Sequence, residues 1–171
     1  MTRAFVAIKP PESVLDAVAR VPVPDNARLT TREQWHITVQ FLGDAVDLDA
    51  VGAALPGLTT PAGELQLAGA GPLGNPRKAT VFSIDVVGEW LPALAEEIGA
   101  RLAPIGYPPE ERTFRPHLTL ARTRRPGGLP TVPGPTGDPW LADQVILYES
   151  RLGNGPARHI ERAVFSLPGN A

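Results

Sequence analysis

The chain has 171 residues with 16 basic and 18 acidic side chains, so its length indicates one domain and its formal charge of −2 excludes a strongly basic coat for nucleic acid. It contains no cysteine, which excludes disulfides, cysteine-ligated metals and a cysteine nucleophile, and which favours a cytoplasmic location. No apolar run approaches the roughly 20 residues of a membrane span, so we expect no association with a membrane.

Short strands and helices alternate along the chain, which favours an α+β fold with antiparallel sheets. Apolar periodicity and turn residues predict strands at 3–8, 35–41, 64–70, 80–87, 117–122, 143–150 and 158–167. Helices are predicted at 12–20, at 88–103, and after Asp47, which can cap a helix that ends at Pro56. The last two strands should pair as a hairpin, because a Gly-Asn-Gly-Pro turn lies between them.

The composition of one long segment predicts a loop. Residues 125–139 contain five prolines and four glycines, which exclude a helix or a central strand. A loop of this length is either a flap over a site or a slack connector, and the sequence does not decide between the two.

Two of the three histidines lie in matching tetrads, half a chain apart. The tetrads are His36-Ile37-Thr38-Val39 and His117-Leu118-Thr119-Leu120. Successive side chains of a strand point to opposite faces. We therefore expect His36 and Thr38 on one face with Ile37, Val39 and Phe41 on the other, and His117 and Thr119 opposite Leu118 and Leu120. Two such strands facing each other would build a site with two imidazoles and two hydroxyls.

This set of groups suits displacement at phosphorus. Two imidazoles with pKa values near ~6.5 can hold one proton between them, so one activates water while the other protonates the leaving oxygen. The hydroxyls can donate hydrogen bonds to the other phosphate oxygens. The scheme needs no metal or cofactor, and it predicts a bell-shaped kcat/KM with an optimum at roughly pH 6–8.

Three alternatives stay open on the residues alone. Two unrelated strands can each contain a histidine and a threonine by chance. His36, His117 and His159 with a water could bind zinc, although no carboxylate accompanies either tetrad at ligand spacing. The same fold could also be a non-catalytic module that binds RNA or nucleotides, although binding alone does not require two facing titratable groups.

The sequence around both tetrads resembles the two-histidine (2H) phosphoesterases, in particular the LigT-like RNA 2′,3′-cyclic phosphodiesterases, also called 2′-5′ RNA ligases. The similar segments extend over nearly the whole chain, at residues 3–8, 35–43, 75–77, 114–122 and 145–150. The two tetrads and the stretch Pro-His-Leu-Thr-Leu-Ala-Arg at 116–122 are the most specific of them.

The resemblance implies one domain over residues 1–171, an internal duplication with two pseudo-symmetric lobes around a central cleft. Each lobe would be an antiparallel sheet with outer helices and one tetrad. The implied reaction is metal-independent hydrolysis of RNA 2′,3′-cyclic phosphate ends to 2′-phosphomonoesters, and reverse ligation to a 2′-5′ bond is also known in the family. His36 would be the acid toward the 3′-oxygen and His117 the base toward water. Thr38, Thr119 and Arg122 would bind the phosphate.

Five arginines fall within fourteen positions. They are Arg112, Arg115, Arg122, Arg124 and Arg125. They form either a solvated loop face or a phosphate-binding patch, since the guanidinium fork matches phosphate oxygens. Strict alternation puts Arg122 on the face opposite His117, so a phosphate contact requires a bend near Ala121 or a side chain that reaches around the strand end.

Three further residues are candidate base or rim contacts: Phe114, Arg115 and Tyr148. The two aromatic rings could stack a base of single-stranded RNA, with core packing as the alternative. We expect the partners to be RNA ends or small cyclic nucleotides, and the protein to be a monomer.

Overall fold

The structure, a computed structural model, describes residues 2–135 and 137–169. In this part of the chain nine strands form one antiparallel sheet. They are β1 (Arg3–Ile8), β2 (Arg28–Leu29), β3 (Ile37–Gly43), β4 (Gly63–Pro72), β5 (Val81–Val87), β6 (His117–Arg122), β7 (Trp140–Ala142), β8 (Gln144–Arg151) and β9 (Arg158–Ser166). The α-helices are α1 (Glu12–Val18), α2 (Leu48–Ala54) and α3 (Leu91–Leu102). The predicted α+β fold is confirmed, and every predicted strand and helix is present.

Local signals explain the element ends. The Asp47 side chain accepts a hydrogen bond of 3.0 Å from the backbone N–H of Ala50, so it caps α2 as predicted. The hairpin is confirmed, because β8 pairs with β9 from Gln144 opposite Ser166 to Arg151 opposite Arg158. Strands β2 and β7 were not predicted, since two and three residues are too few to show an alternation.

The strand order divides the sheet into two groups. The order is β7-β4-β5-β6-β3-β1-β8-β9, and β2 pairs with β6 outside this path. Strands β1, β3, β8 and β9 form one group, and β4, β5, β6 and β7 form the other. The groups meet where β3 pairs with β6, and one aligned pair, Ile37 opposite Leu118, joins them. Each group therefore carries one tetrad, at the seam.

The helices bury one face of this sheet. Leu91, Leu94, Ile98 and Leu102 of α3 recur at helical spacing and are fully buried, together with the inward side chains of the strands. A smaller cluster of Phe5, Ala7, Ile146 and Tyr148, with Phe41 against it, lies apart from this core. No helix in residues 2–135 and 137–169 is long and apolar enough to cross a membrane.

Strand β3 contains a bulge that changes which side chains share a face. Thr38 pairs with Ala7 and Gln40 with Val6, so Val39 is an extra residue between them. Val39 stays in the main core, but Phe41 now pairs with Phe5 in the smaller cluster. The prediction that Phe41 shares a face with Ile37 is therefore wrong, because strict alternation does not continue through the bulge.

The Pro/Gly-rich loop is fastened to strand β4. Ala70 and Val132 exchange backbone hydrogen bonds of 3.0 and 2.8 Å. Gly134 lies so close to the carbonyl oxygen of Ala68 that a Cβ there would stand 1.5 Å from it, and only glycine fits. At Val132 and Gly134 the segment is therefore held against β4 and is not a slack connector, while Thr136 lies outside the described residues.

Candidate active site

The two tetrads lie side by side at the seam. Ile37 and Leu118 pair across β3 and β6, and both are fully buried in the helix-covered core. The residues on either side of them must then point to the other face. Antiparallel register places Thr38 toward His117 and His36 toward Thr119, so the two imidazoles and two hydroxyls meet on one surface.

Arg122 reaches the same face because of a second bulge. Thr119 pairs with Ser83 and Ala121 with Phe82, which leaves Leu120 as the extra residue. Leu120 and Ala121 are both buried in the core, so Arg122 returns to the face of Thr119. Of the two routes considered from the sequence, the strand irregularity is the one observed, and it lies one residue before Ala121.

His36 is packed among aromatic rings. Its imidazole stacks on Phe5, with ring centroids 4.6 Å apart, and meets the edge of His159 at 5.0 Å. The Tyr148 ring lies 6.2 Å away, and the Nε2 atom is 3.0 Å from Thr38 Oγ1. Among the described residues no atom meets hydrogen-bond geometry at the buried Nδ1, although the Gln34 backbone still interacts with the ring.

These surroundings favour neutral His36. Burial lowers the pKa of His36 to about 3, and the nearby positive charge of His159 adds to this effect. The Gln34 backbone acts in the opposite direction, while His117 and Arg122 lower the pKa further. The contributions of His117 and Arg122 are smaller than those of burial and of His159.

His117 is held differently. Its Nδ1 lies 2.8 Å from the carbonyl oxygen of Arg115, which can only accept, so Nδ1 carries the proton and Nε2 is left for the site. Arg115 also forms an ion pair of 3.5 Å with Asp85, the residue opposite His117 on β5. No aromatic ring in the described residues contacts His117.

The three candidate base or rim contacts lie in different surroundings. The Phe114 ring packs against the main core. Tyr148 is 6% exposed and stacks on Phe5 at 5.3 Å, so it forms part of the wall beside His36. Burial, with a smaller contribution from Glu161, raises the pKa of Tyr148. Arg115 takes part through its backbone carbonyl, as described above.

Two site neighbours were missed by sequence reasoning. Phe5 was predicted only as a strand residue, and His159 was considered only as a zinc ligand. The register of β1 with β3 brings the Phe5 ring to His36. His159 arrives through the pairing of β1 with β8 and of β8 with β9. The order of residues alone does not reveal which strands pair, so neither contact has a signal in the sequence. No group of three or more histidine, cysteine or carboxylate side chains suited to a metal occurs in residues 2–135 and 137–169.

Comparisons with known proteins agree with this fold. The chain is 30% identical over 122 residues to the RNA 2′,3′-cyclic phosphodiesterase of Aeropyrum pernix, which covers 68% of each protein. The crystal structure of TT0787 of Thermus thermophilus superposes with a TM-score of 0.83 and 25% identity over 99% of this chain and all of that one. The structure of Escherichia coli LigT complexed with 3′-AMP shares the fold, with a TM-score of 0.82 and 24% identity over 97% and 98% of the two chains.

No family model matches the chain. The identity to the Aeropyrum protein and the share of both chains that it covers nevertheless show the family of this chain. It belongs to the RNA 2′,3′-cyclic phosphodiesterases, the LigT-like 2H phosphoesterases. The resemblance predicted from the two tetrads is confirmed.

Proposed function

We propose that the protein hydrolyses RNA 2′,3′-cyclic phosphate ends to 2′-phosphomonoesters, with one proton transfer assigned to each tetrad. The observation that carries the proposal is the pairing of Ile37 with Leu118, which turns both histidines and both threonines to one face. Family membership supports the substrate class, since the Aeropyrum relative is an RNA 2′,3′-cyclic phosphodiesterase. The whole chain acts as one domain, and each strand group contributes one tetrad.

The reaction forms one bond to phosphorus and breaks another. A water oxygen attacks phosphorus, and the base takes the proton that the water loses. The bond from phosphorus to the 3′-oxygen breaks, and the acid supplies the proton that this oxygen gains. The 2′-oxygen keeps its bond, so the product is a 2′-phosphomonoester.

The hydrogen bond at His117 supports its assignment as the base. Because Nδ1–H donates to the Arg115 carbonyl, the basic Nε2 of neutral His117 points to the site and can accept a proton from water. His36 is then the acid toward the 3′-oxygen.

His36 has to gain its proton when substrate binds. Its pKa of about 3 leaves it neutral in the free protein near pH 7. An anionic phosphate between the tetrads favours the protonated form of His36 and opposes the positive charge of Arg122, so it raises the pKa of His36. The acid limb of kcat/KM, which reports the free enzyme, is then expected at a pH well below the optimum of roughly pH 6–8 that unperturbed imidazoles predict.

Thr38, Thr119 and Arg122 are proposed to hold the phosphate. Their hydroxyl and guanidinium groups donate to the non-bridging oxygens, whose negative charge grows in the transition state. The bulge at the fourth residue of each tetrad is what allows the residue five positions beyond the histidine to lie on this face.

The test is turnover of a 2′,3′-cyclic mononucleotide by pure protein, with the product identified by ³¹P NMR. We expect the 2′-phosphate, at an unchanged rate after exhaustive chelation. Exclusive formation of the 3′-phosphate would contradict the assigned leaving group. Loss of activity on chelation and its recovery with zinc would favour the three-histidine metal site. Tight binding without turnover would indicate a non-catalytic module.

A further inference from the structure

A basic groove adjoins the proposed phosphate site. It has a volume of about 480 Å³ and lies between the segment around β2 and the segment that follows β6. Four arginines line it: Arg28, Arg122, Arg124 and Arg125. Arg122 therefore belongs to both the groove and the tetrad face, so the groove continues directly from the catalytic surface.

The arrangement of these cations is unfavourable without an anion. Arg28 lies directly opposite Arg122 in the β2–β6 pair, and like charges at opposite positions destabilise a sheet. None of the four forms an ion pair with any residue in 2–135 or 137–169, although Asp25 also lines the groove.

The other two arginines of the run 112–125 do form ion pairs. Arg112 pairs with Glu110 at 3.1 Å, and Arg115 pairs with Asp85 at 3.5 Å. The run of five arginines is thus divided into two neutralised members and three unneutralised ones that share a concave surface with Arg28. This division favours an anion-binding patch over a solvated loop face for Arg122, Arg124 and Arg125.

Backbone contacts fix the groove walls. Thr123 donates its N–H to the Thr80 carbonyl at 2.8 Å and its hydroxyl to the Arg125 carbonyl at 2.8 Å. Gly127 donates to the Ala79 carbonyl at 2.9 Å, and its φ of +84° suits glycine. On the other wall, the Thr30 hydroxyl donates to the Leu120 carbonyl at 2.8 Å. A ligand therefore meets arginines whose backbone positions are already set, which lowers the ordering cost of binding.

We propose that this groove binds the sugar-phosphate backbone of the nucleotides that precede the cyclic phosphate, so that the preferred substrate is an RNA oligonucleotide. The proposal rests on the proposed function, because it needs the cyclic phosphate beside His36 and His117. A 2′,3′-cyclic phosphate occupies both the 2′- and the 3′-oxygen of the last nucleotide. The rest of an RNA chain is therefore attached through the 5′-oxygen of this nucleotide. Its next phosphates then lie along the protein surface, away from the tetrads. Arginine forks are suited to these phosphates.

The test compares two substrates in wild type and variants. The substrates are a 2′,3′-cyclic mononucleotide without a 5′-phosphate and a trinucleotide that ends in the same cyclic phosphate. The variants are Arg28→Ala and the double variant Arg124→Ala with Arg125→Ala. The control is Arg151→Ala, since Arg151 is an exposed arginine on β8, several strands away in the sheet.

We expect wild type to favour the trinucleotide by about tenfold or more in kcat/KM, which is the effect of one good charge-assisted contact. The groove variants should lose most of this preference and keep the mononucleotide rate, while Arg151→Ala changes neither. For the trinucleotide, log kcat/KM should fall with log salt concentration by about 0.7 per phosphate contact more steeply than for the mononucleotide, and the variants should flatten this slope.

Two outcomes would overturn the proposal and leave the proposed function intact. One is equal kcat/KM for both substrates in wild type. The other is an equal loss on both substrates in the groove variants, because the arginines would then act on the catalytic face or on folding and not on the RNA chain. If wild type hydrolyses neither substrate, the proposed function fails, and the groove proposal fails with it.

Discussion

The strands around His36 and His117 are built alike. In each, the histidine and threonine share a face, the apolar residue between them is fully buried, and the fourth residue of the tetrad forms a bulge. The residue five positions after the histidine is thereby returned to the histidine's face. It is Phe41 after the first tetrad and Arg122 after the second.

Their surroundings differ. His36 lies against Phe5, His159 and Tyr148, and burial lowers its pKa, whereas the ring of His117 is fixed by a hydrogen bond to a backbone carbonyl. Five positions after His36 stands Phe41, whose ring centroid lies 5.0 Å from the guanidinium of Arg3. Five positions after His117 stands Arg122, which carries a guanidinium of its own. The comparison teaches that the motif determines where the two imidazoles point, while neighbouring strands determine the surroundings of each one.

The largest effect should come from removing either imidazole. His36→Ala and His117→Ala should each reduce kcat by about 10²–10⁴-fold, the usual contribution of a general acid or base. Steady-state turnover of a cyclic mononucleotide measures this, with the circular dichroism spectrum and Tm as controls for folding. Retention of more than a tenth of wild-type activity in either variant would remove that histidine from the mechanism.

A substrate with sulfur in place of the 3′-oxygen distinguishes the two roles. A thiolate leaves without protonation, so loss of the acid should cost much less on this substrate than on the oxygen one. We expect the sulfur substrate to rescue His36→Ala and not His117→Ala. Rescue of His117→Ala alone would show that the two roles are reversed.

The next largest effect should come from the hydroxyls. Thr38→Val and Thr119→Val remove a donor and keep the branched shape, and each should lower kcat by about 10²–10³-fold, as for a lost oxyanion contact. The loss should appear in kcat more than in KM, because the donated bonds strengthen as charge develops. A pure KM effect in both variants would restrict the hydroxyls to ground-state binding.

The buried environment of His36 should also appear as pH-dependent stability. Its pKa is lower in the folded protein, at about 3, than the ordinary 6.5 of an unfolded chain. Between these values the unfolded state binds the proton more readily, so stability present above pH 6.5 is lost as pH falls toward 3. His159, whose pKa is lowered by burial and by Arg3, acts in the same direction.

Denaturant unfolding of wild type and His36→Gln over this pH range isolates the contribution of His36. The free energy of unfolding of wild type should fall more steeply with decreasing pH than that of His36→Gln. Parallel curves for the two proteins would show that His36 is not held neutral by the fold.

The smallest effect should come from His159. Its positive charge is a secondary cause of the low pKa of His36, after burial. His159→Gln keeps a polar side chain of similar reach without that charge, so the pKa of His36 should rise and the acid limb of kcat/KM should move to higher pH, with little change in kcat. A large fall in kcat with an unmoved limb would instead assign His159 a direct contact with substrate.

Much of this architecture could be predicted from the sequence, and the failures have physical causes. Alternation and cap residues located β1, β3, β6 and α2, because each depends on residues adjacent in the chain. The bulge at Val39 was not predicted, and the one at Leu120 was considered only as one of two routes for Arg122, since an extra residue in a strand is defined by its partner strand. The contact of Phe5 with His36 depends on the pairing of β1 with β3, and that of His159 depends on pairings between the two ends of the chain. The arginine groove likewise required the two-residue strand β2, which has too few residues to show a pattern.

A ¹⁵N NMR titration of the histidines, with and without the product 2′-AMP, tests the central claim most directly. The claim is that the two tetrads supply an acid, His36, and a base, His117, to one phosphate. In the free protein we expect His36 to stay neutral down to a pH of about 3 and His117 to keep its proton on Nδ1 when neutral. With 2′-AMP bound, the pKa of His36 should rise toward neutrality, and it should rise less in Arg122→Gln because the phosphate is then held less firmly. A His36 that titrates near 6.5 in the free protein, and does not respond to 2′-AMP, would contradict the account.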